Sequence, residues 1–177
     1  MDYEYTYNKI FNLLENEDAS INLLKPKAGI FFAPELYLVF QIGRLLKTHE
    51  LKVFGEEVCW LREYSLNNGG PTDLLFKNKD GELYVFECKV ASKLSLYFND
   101  INKLKKLCSY RKNPIKQKFF IAIVDVFSNQ GLNDGRLTGL KDEHIHQLIP
   151  KFKMFHTEYS AYPSKDNSCL LGMWKVS

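Results

Sequence analysis

The chain has 177 residues, is 45% hydrophobic and 25% charged, and carries a formal net charge of +3, an ordinary globular composition. That length suggests one domain, residues 1–177, with room for a real core. No apolar run reaches about 18 residues, which argues against a transmembrane helix and a membrane partner, and MDYEYTYNKI lacks the basic and apolar regions of a signal peptide, so a cytoplasmic protein is expected.

Tyr7, Ile10, Phe11 and Leu14 recur at helical spacing and predict a first helix over about residues 6–17. Residues 23–29, LLKPKAG, read as a connection. A second helix should begin near Pro34, which suits a first turn because it lacks an N–H, and run through ELYLVFQIGRLL. Its apolar residues point in nearly all directions, which predicts a buried or nearly buried helix. Residues 53–64, VFGEEVCWLREY, read as a strand, and SLNNGGP reads as turns. A hairpin follows, with arms at about 72–78 and 82–90. Ile101, Leu104, Leu107 and Cys108 mark one face of a helix over about 98–112. FFIAIV at 119–124 has the continuous apolar pattern of a strand covered on both faces. A helix near 139–149 and strands at about 151–158 and 168–176 complete the chain. This order implies an α/β layered domain with a mixed sheet.

The four cysteines, Cys59, Cys88, Cys108 and Cys169, are far apart and form no CxxC pair, so neither zinc nor disulfides are expected. Charge is unevenly spread. Nine basic residues lie between Lys89 and Lys118, opposed only by Asp100, so that segment carries +8 and the remainder −5. This asymmetry suggests a polyanion partner on one face, against the plainer alternative of a solvated lysine-rich helix.

The hairpin PTDLLFKNKDGELYVFECKV carries the chemistry. Alternation puts Val85, Glu87 and Lys89 on one face of the second arm, and Tyr84, Phe86, Cys88 and Val90 on the other. The turn decides where Asp73 falls. A two-residue Asp80-Gly81 loop places Asp73 opposite Cys88. A three-residue Lys79-Asp80-Gly81 loop pairs Asn78 with Glu82 and Asp73 with Glu87, and Gly81 supplies the left-handed residue it needs. Directly opposed residues have Cβ atoms roughly 5 Å apart. Two carboxylates that close repel each other, and a hard divalent cation such as Mg²⁺ removes the repulsion. Lys89 lies beside the same place. The structural alternative makes Asp73 a turn residue and Glu87–Lys89 an edge ion pair.

Pro71-Thr72-Asp73 followed by Glu87-Cys88-Lys89 resembles the PD-(D/E)XK nuclease superfamily, whose signature is Pro-x-Asp on one strand and Glu-x-Lys on the next. The resemblance covers about residues 30–125 and rests on the order of elements around a short motif. It implies a restriction-endonuclease-like fold, a three-layer core with a central mixed β-sheet flanked by helices. It also implies metal-dependent hydrolysis of phosphodiesters, usually in DNA. Asp73 and Glu87 would then hold Mg²⁺, for which Mn²⁺ can substitute, with the Cys88 backbone carbonyl. Lys89 would orient water or stabilise negative charge. Glu35 matches an acidic residue that the family often places on an N-terminal helix, where it completes the site. Its place near a helix N-terminus equally suits the helix dipole. Lys103 and Lys106, with Tyr110 next along the stripe, are candidate phosphate contacts or plain solvated lysines. The Gln that accompanies such a Tyr in some branches is absent.

His144 and His146, two apart on a predicted helix, read as surface histidines, and Asp125 as a turn or cap residue. The leading expectation is a Mg²⁺-dependent nuclease acting on DNA in defence, repair or a mobile element, with endonuclease and exonuclease both open. The alternative is a non-catalytic nucleic-acid-binding or assembly subunit with the same fold. A third reading is an immunity or scaffold protein whose basic helix binds an acidic protein. A homodimer or a place in a larger complex is also expected, because cutting two strands usually takes two sites and the chain has little room for a recognition domain.

Overall fold

The computed structural model describes residues 1–62, 65–66, 70–107, 114–127, 131–158 and 166–177. The chain opens with helices α1 (Tyr3–Leu24), α2 (Glu35–Thr48) and the short α3 (Glu50–Val53), and a 3₁₀ turn at Ile30–Phe32 lies between α1 and α2. Strands β1 (Val58–Arg62), β2 (Ser65–Leu66), β3 (Gly70–Pro71), β4 (Leu74–Asn78) and β5 (Leu83–Val90) follow. Then come α4 (Leu94–Lys106), β6 (Ile115–Phe127), the short α5 (Gly135–Thr138), β7 (Ile145–Gln147), β8 (Lys153–Thr157) and β9 (Asn167–Val176). Among the described residues the main sheet has seven strands in the order β1-β4-β5-β6-β9-β7, with β8 also on β9, while β2 and β3 pair separately. Only β5 and β6 run parallel within it, joined through α4, so the fold is α/β with a mixed sheet.

Strand alternation sorts the core into two halves. Phe76 of β4, Phe86 of β5, Phe119 and Ile121 of β6 and Leu171 of β9 pack with Tyr7, Ile10 and Leu14 of α1 and Leu38 and Ile42 of α2. Leu75, Val85, Phe120, Val124 and Trp174 point the other way and pack with Tyr97, Ile101 and Leu104 of α4. Helices therefore cover both faces of the sheet. Phe119–Val124 of β6 are fully buried, as their unbroken apolar run predicts. Among the described residues no helix is long and apolar enough to cross a membrane.

Several sequence expectations need correction. Helix α2 is not buried all round: Leu36 is 54%, Tyr37 40% and Phe40 37% exposed. Its inner face packs closely instead, for a Cβ on Gly43 would lie 2.3 Å from the Trp60 ring of β1. The strand predicted over 53–64 starts only at Val58. Val53 ends α3 and Phe54 caps it, both buried, so their apolar character reflects core packing and not strand pairing. Gly55, at φ +79°, turns the chain before the strand. Glu63 and Tyr64 lie outside the described residues.

The helix expected near 139–149 is a strand. Ile145–Gln147 pairs antiparallel with Trp174–Val176 at the sheet edge, and the nearest helical turn is Gly135–Thr138. Leu140, Ile145, Leu148 and Ile149 mimic helical spacing because an edge strand and its flanks bury alternate and terminal positions. His146 is exposed on that edge strand, and the His144 carbonyl accepts the Ser177 N–H. Asp125 is likewise no cap. It lies within β6, opposite Cys169, and its carboxylate meets Arg136 Nη1 at 2.6 Å. Cys59 is exposed and Cys88 and Cys169 are buried, all three as free thiols, and Cys108 lies outside the described residues.

Candidate functional site

The β4–β5 turn sets the geometry. Gly81 adopts φ +82°, its N–H donates to the Asn78 carbonyl at 3.1 Å, and the Asn78 N–H donates to the Glu82 carbonyl at 3.0 Å. The Asn78 side chain braces the loop by accepting the Asp80 and Glu82 N–H groups at 3.1 and 2.8 Å. This is the three-residue loop, and it fixes the register Lys77↔Leu83 through Leu74↔Phe86. Carried one step past the ladder, this register sets Asp73 opposite Glu87, near enough for its charge to act on Glu87. Leu75, Val85 and their face-mates Asp73, Glu87 and Lys89 all belong to the side of the sheet covered by α4.

Glu87 is only 2% exposed. Burial first, and then the Asp73 carboxylate, push its pKa up to about 8, while the nearby Lys103 ammonium pulls it back. Asp73 is half-buried, and burial raises its pKa too, against the Cys88 N–H, which donates to Asp73 Oδ2 at 2.8 Å. Lys103 Nζ lies 2.7 Å from Glu87 Oε1, a close ion pair with a buried carboxylate. The same ammonium donates to the Pro71 carbonyl, two residues before Asp73.

Lys89 emerges at the carboxyl end of β5, where both helix layers reach it. Glu35 of α2 accepts from Lys89 Nζ at 3.0 Å through Oε1 and from the Val90 N–H at 3.0 Å through Oε2. From the opposite layer, Asp100 of α4 lies 3.9 Å from Lys89 Nζ. Burial works against the Lys89 charge, but Glu35, Asp100 and Asp73 outweigh it and hold its pKa above the ordinary lysine value. Burial raises the Asp100 carboxyl as well. Glu35 thus stands in the first turn of α2 and also joins the Lys89 end of the cluster.

Asp73, Glu87, Lys89 and Glu35 are thus brought together as the sequence suggests, and Lys103 joins them through Glu87 and not as a free surface cation. Lys106 is exposed further along α4, and Tyr110 lies outside the described residues. Asp100 was not singled out for the site. Its signal was its isolation as the one acid in the basic segment, on the same helix as Lys103 and one turn away. The Cys88 side chain is buried on the opposite face, and burial pushes its thiol well up, so only its backbone belongs to this site.

The basic segment is less available to a polyanion than its charge suggests. Besides Lys89 and Lys103, Lys105 pairs with Asp142 at 2.5 Å, and Lys116 with Glu82 and Glu56 at 2.7 and 3.0 Å. Among the described residues, Lys89, Lys103, Lys105 and Lys116 of this segment are held by carboxylates of this same chain.

Among the described residues no three His, Cys, Asp or Glu side chains converge closely enough to hold a metal ion. The donor chemistry of the facing pair nevertheless suits a hard cation. Both groups are carboxylates, they share one face, and burial and the Asp73 charge raise the Glu87 pKa despite the Lys103 ammonium. No protein-family profile, curated sequence or solved structure matches the chain.

Proposed function

We propose that this protein is a divalent-metal-dependent nuclease, hydrolysing phosphodiester bonds in nucleic acid, with DNA the first substrate to test, on a restriction-endonuclease-like fold. The observation that carries this reading is the three-residue turn, whose register, carried one step past Leu74↔Phe86, sets Asp73 opposite Glu87, with Lys89 two residues beyond Glu87 on the same face. Placing the Asp73 carboxylate beside the buried Glu87 has a cost, which appears in the raised Glu87 pKa.

In this reading Asp73 and Glu87, with the Cys88 backbone carbonyl, hold Mg²⁺ or Mn²⁺. The bound ion supplies charge neutralisation at the scissile phosphate and a more acidic water. Glu35 and Asp100 hold the Lys89 ammonium from opposite layers, which keeps it charged and points it across the carboxyl end of β5. There it can donate to a phosphate oxygen or to the attacking water. The Cys88 N–H fixes one Asp73 oxygen, leaving the other for a ligand. The buried side of the site excludes bulk water, which strengthens each of these interactions.

Incubation of the purified chain with linear, circular, branched and single-stranded substrates tests the proposal. Cleavage is expected with Mg²⁺ or Mn²⁺ and not with EDTA, and its absence on every DNA and RNA substrate would count against it. A second reading, a non-catalytic nucleic-acid-binding or assembly subunit, draws on the Lys103 contact that already compensates Glu87. Metal-independent retention on DNA without cleavage is the outcome it predicts.

A further inference from the structure

Helix α4 and strand β5 face each other with crossed charges. Strand β5 carries Glu87 and Lys89, and α4 carries Asp100 and Lys103. Residues three apart on a helix are about 5–6 Å apart. Alternate residues of a strand are about 7 Å apart. The two spacings are close enough for both pairs to form together, Lys103 with Glu87 at 2.7 Å and Asp100 with Lys89 at 3.9 Å.

The two pairs differ in one respect. Lys89 has a second carboxylate on Glu35, whereas Lys103 is the one ammonium recorded within ion-pair distance of Glu87 among the described residues. The acid of that pair is interior, with a side chain 3% exposed, and the base is at the rim, 22% exposed. The same ammonium also donates to the Pro71 carbonyl, so on leaving Glu87 it keeps one neutral partner and loses its close carboxylate. Lysine carries its charge on a flexible four-carbon stem, and the last turn of α4 also bears Lys105 and Lys106, where the helix dipole favours cations.

Resting on the hydrolase reading above, we propose that Lys103 is an exchangeable counter-ion. It neutralises Glu87 while no divalent cation is bound, and is released by the cation to take a phosphate of the nucleic acid. Lys103 and the metal compete for the same carboxylate oxygen. The site is then quiet without both metal and substrate: the metal must displace an ammonium, and the displaced ammonium gains its new partner only when a phosphate is present. Lys103 acts on substrate binding and on metal affinity in opposite directions, which a purely structural pair does not do.

The test is calorimetric titration of the full chain with Mg²⁺ and with Mn²⁺ at pH 8.5, for wild type, Lys103→Gln and Lys103→Arg. Lys103→Met, which keeps the apolar stem, is measured in parallel should the amide disturb packing under α4. Removing the charge should tighten divalent binding about fivefold, the scale of one close pair at a rim. It should also lower the salt slope of DNA retention by about one. Lys103→Arg should restore both values toward wild type. If wild type binds the cations and neither neutral variant binds them more tightly, Lys103 is a fixed structural partner and the counter-ion idea fails, with the hydrolase reading intact. If no form binds either cation, both fail together.

Discussion

Carried one step past Leu74↔Phe86, the β4–β5 register sets Asp73 opposite Glu87, because Gly81 takes φ +82° and so adds a third residue to the loop. With a two-residue loop the same sequence would turn Asp73 toward Cys88 and split the two carboxylates between the faces of the sheet. A glycine eight residues from Asp73 thus decides whether the site exists.

Gly81→Val should therefore cost stability on the order of 1 kcal/mol or more, read as a lower urea midpoint. No neighbouring atom lies within 4 Å of a Cβ added there, so the cost is one of backbone conformation and not of collision. Gly81→Asn should cost less, because Asn tolerates the left-handed region. Activity should fall with the valine, since strain in the turn is transmitted to the register.

Asp73 and its substitutions separate structure from chemistry. Asp73→Asn keeps an oxygen for the Cys88 N–H and should fold like wild type while losing metal binding and cleavage. Asp73→Ala leaves that N–H without its acceptor and should cost about 1–3 kcal/mol in addition. Equal stability of the two variants in urea would show that the Cys88 contact contributes nothing.

Glu87 makes a definite prediction about pH. Its folded pKa of about 8 lies above the ordinary value of 4.5, so between those values the folded state binds more protons than the unfolded one. Its contribution to metal-free stability is then fully present below about pH 4.5 and is lost as pH rises through about 8. Asp73 and Asp100, both raised by burial, act in the same direction, and Lys103 opposes them. In EDTA, melting temperature should fall from pH 5 to pH 9, and Glu87→Gln should flatten that fall and be the more stable protein at pH 9. Saturating Mg²⁺ should reverse the order, because it stabilises only the form with the ionised carboxylate.

Lys89→Ala should leave divalent affinity largely intact and lower kcat by about a hundredfold or more, the scale of a lost general acid–base or charge-stabilising group. The amine contacts Glu35 and Asp100 and not the Asp73–Glu87 pair. Wild-type turnover in the variant would reduce Lys89 to an ion-pair partner of those two acids.

The hairpin could be read from sequence because its information is local. Alternation, one glycine and the length of a turn fix which side chains share a face. Strand β6 was readable for the same reason, as its apolar run is continuous. What could not be read depends on distant partners. Ile145–Gln147 is a strand only because Trp174–Val176 offers it an edge, and Val53–Phe54 is apolar only because the core receives the end of α3. Leu36, Tyr37 and Phe40 of α2 look like core residues in composition yet face outward. Within the site, Glu35 and Lys89 lie 54 positions apart in the chain, and only the fold joins them. Lys103 was legible as a cation near the motif, but its contact with Glu87 was not, since helix periodicity does not say which strand residue a helix stripe will meet.

The most direct measurement is anomalous diffraction from crystals grown or soaked with Mn²⁺ above pH 8, where Glu87 is ionised. A peak about 2.1 Å from oxygens of both Asp73 and Glu87, with Lys103 withdrawn from Glu87, is the predicted result. An empty site at saturating Mn²⁺, with the Lys103 ammonium still against Glu87, would contradict the account.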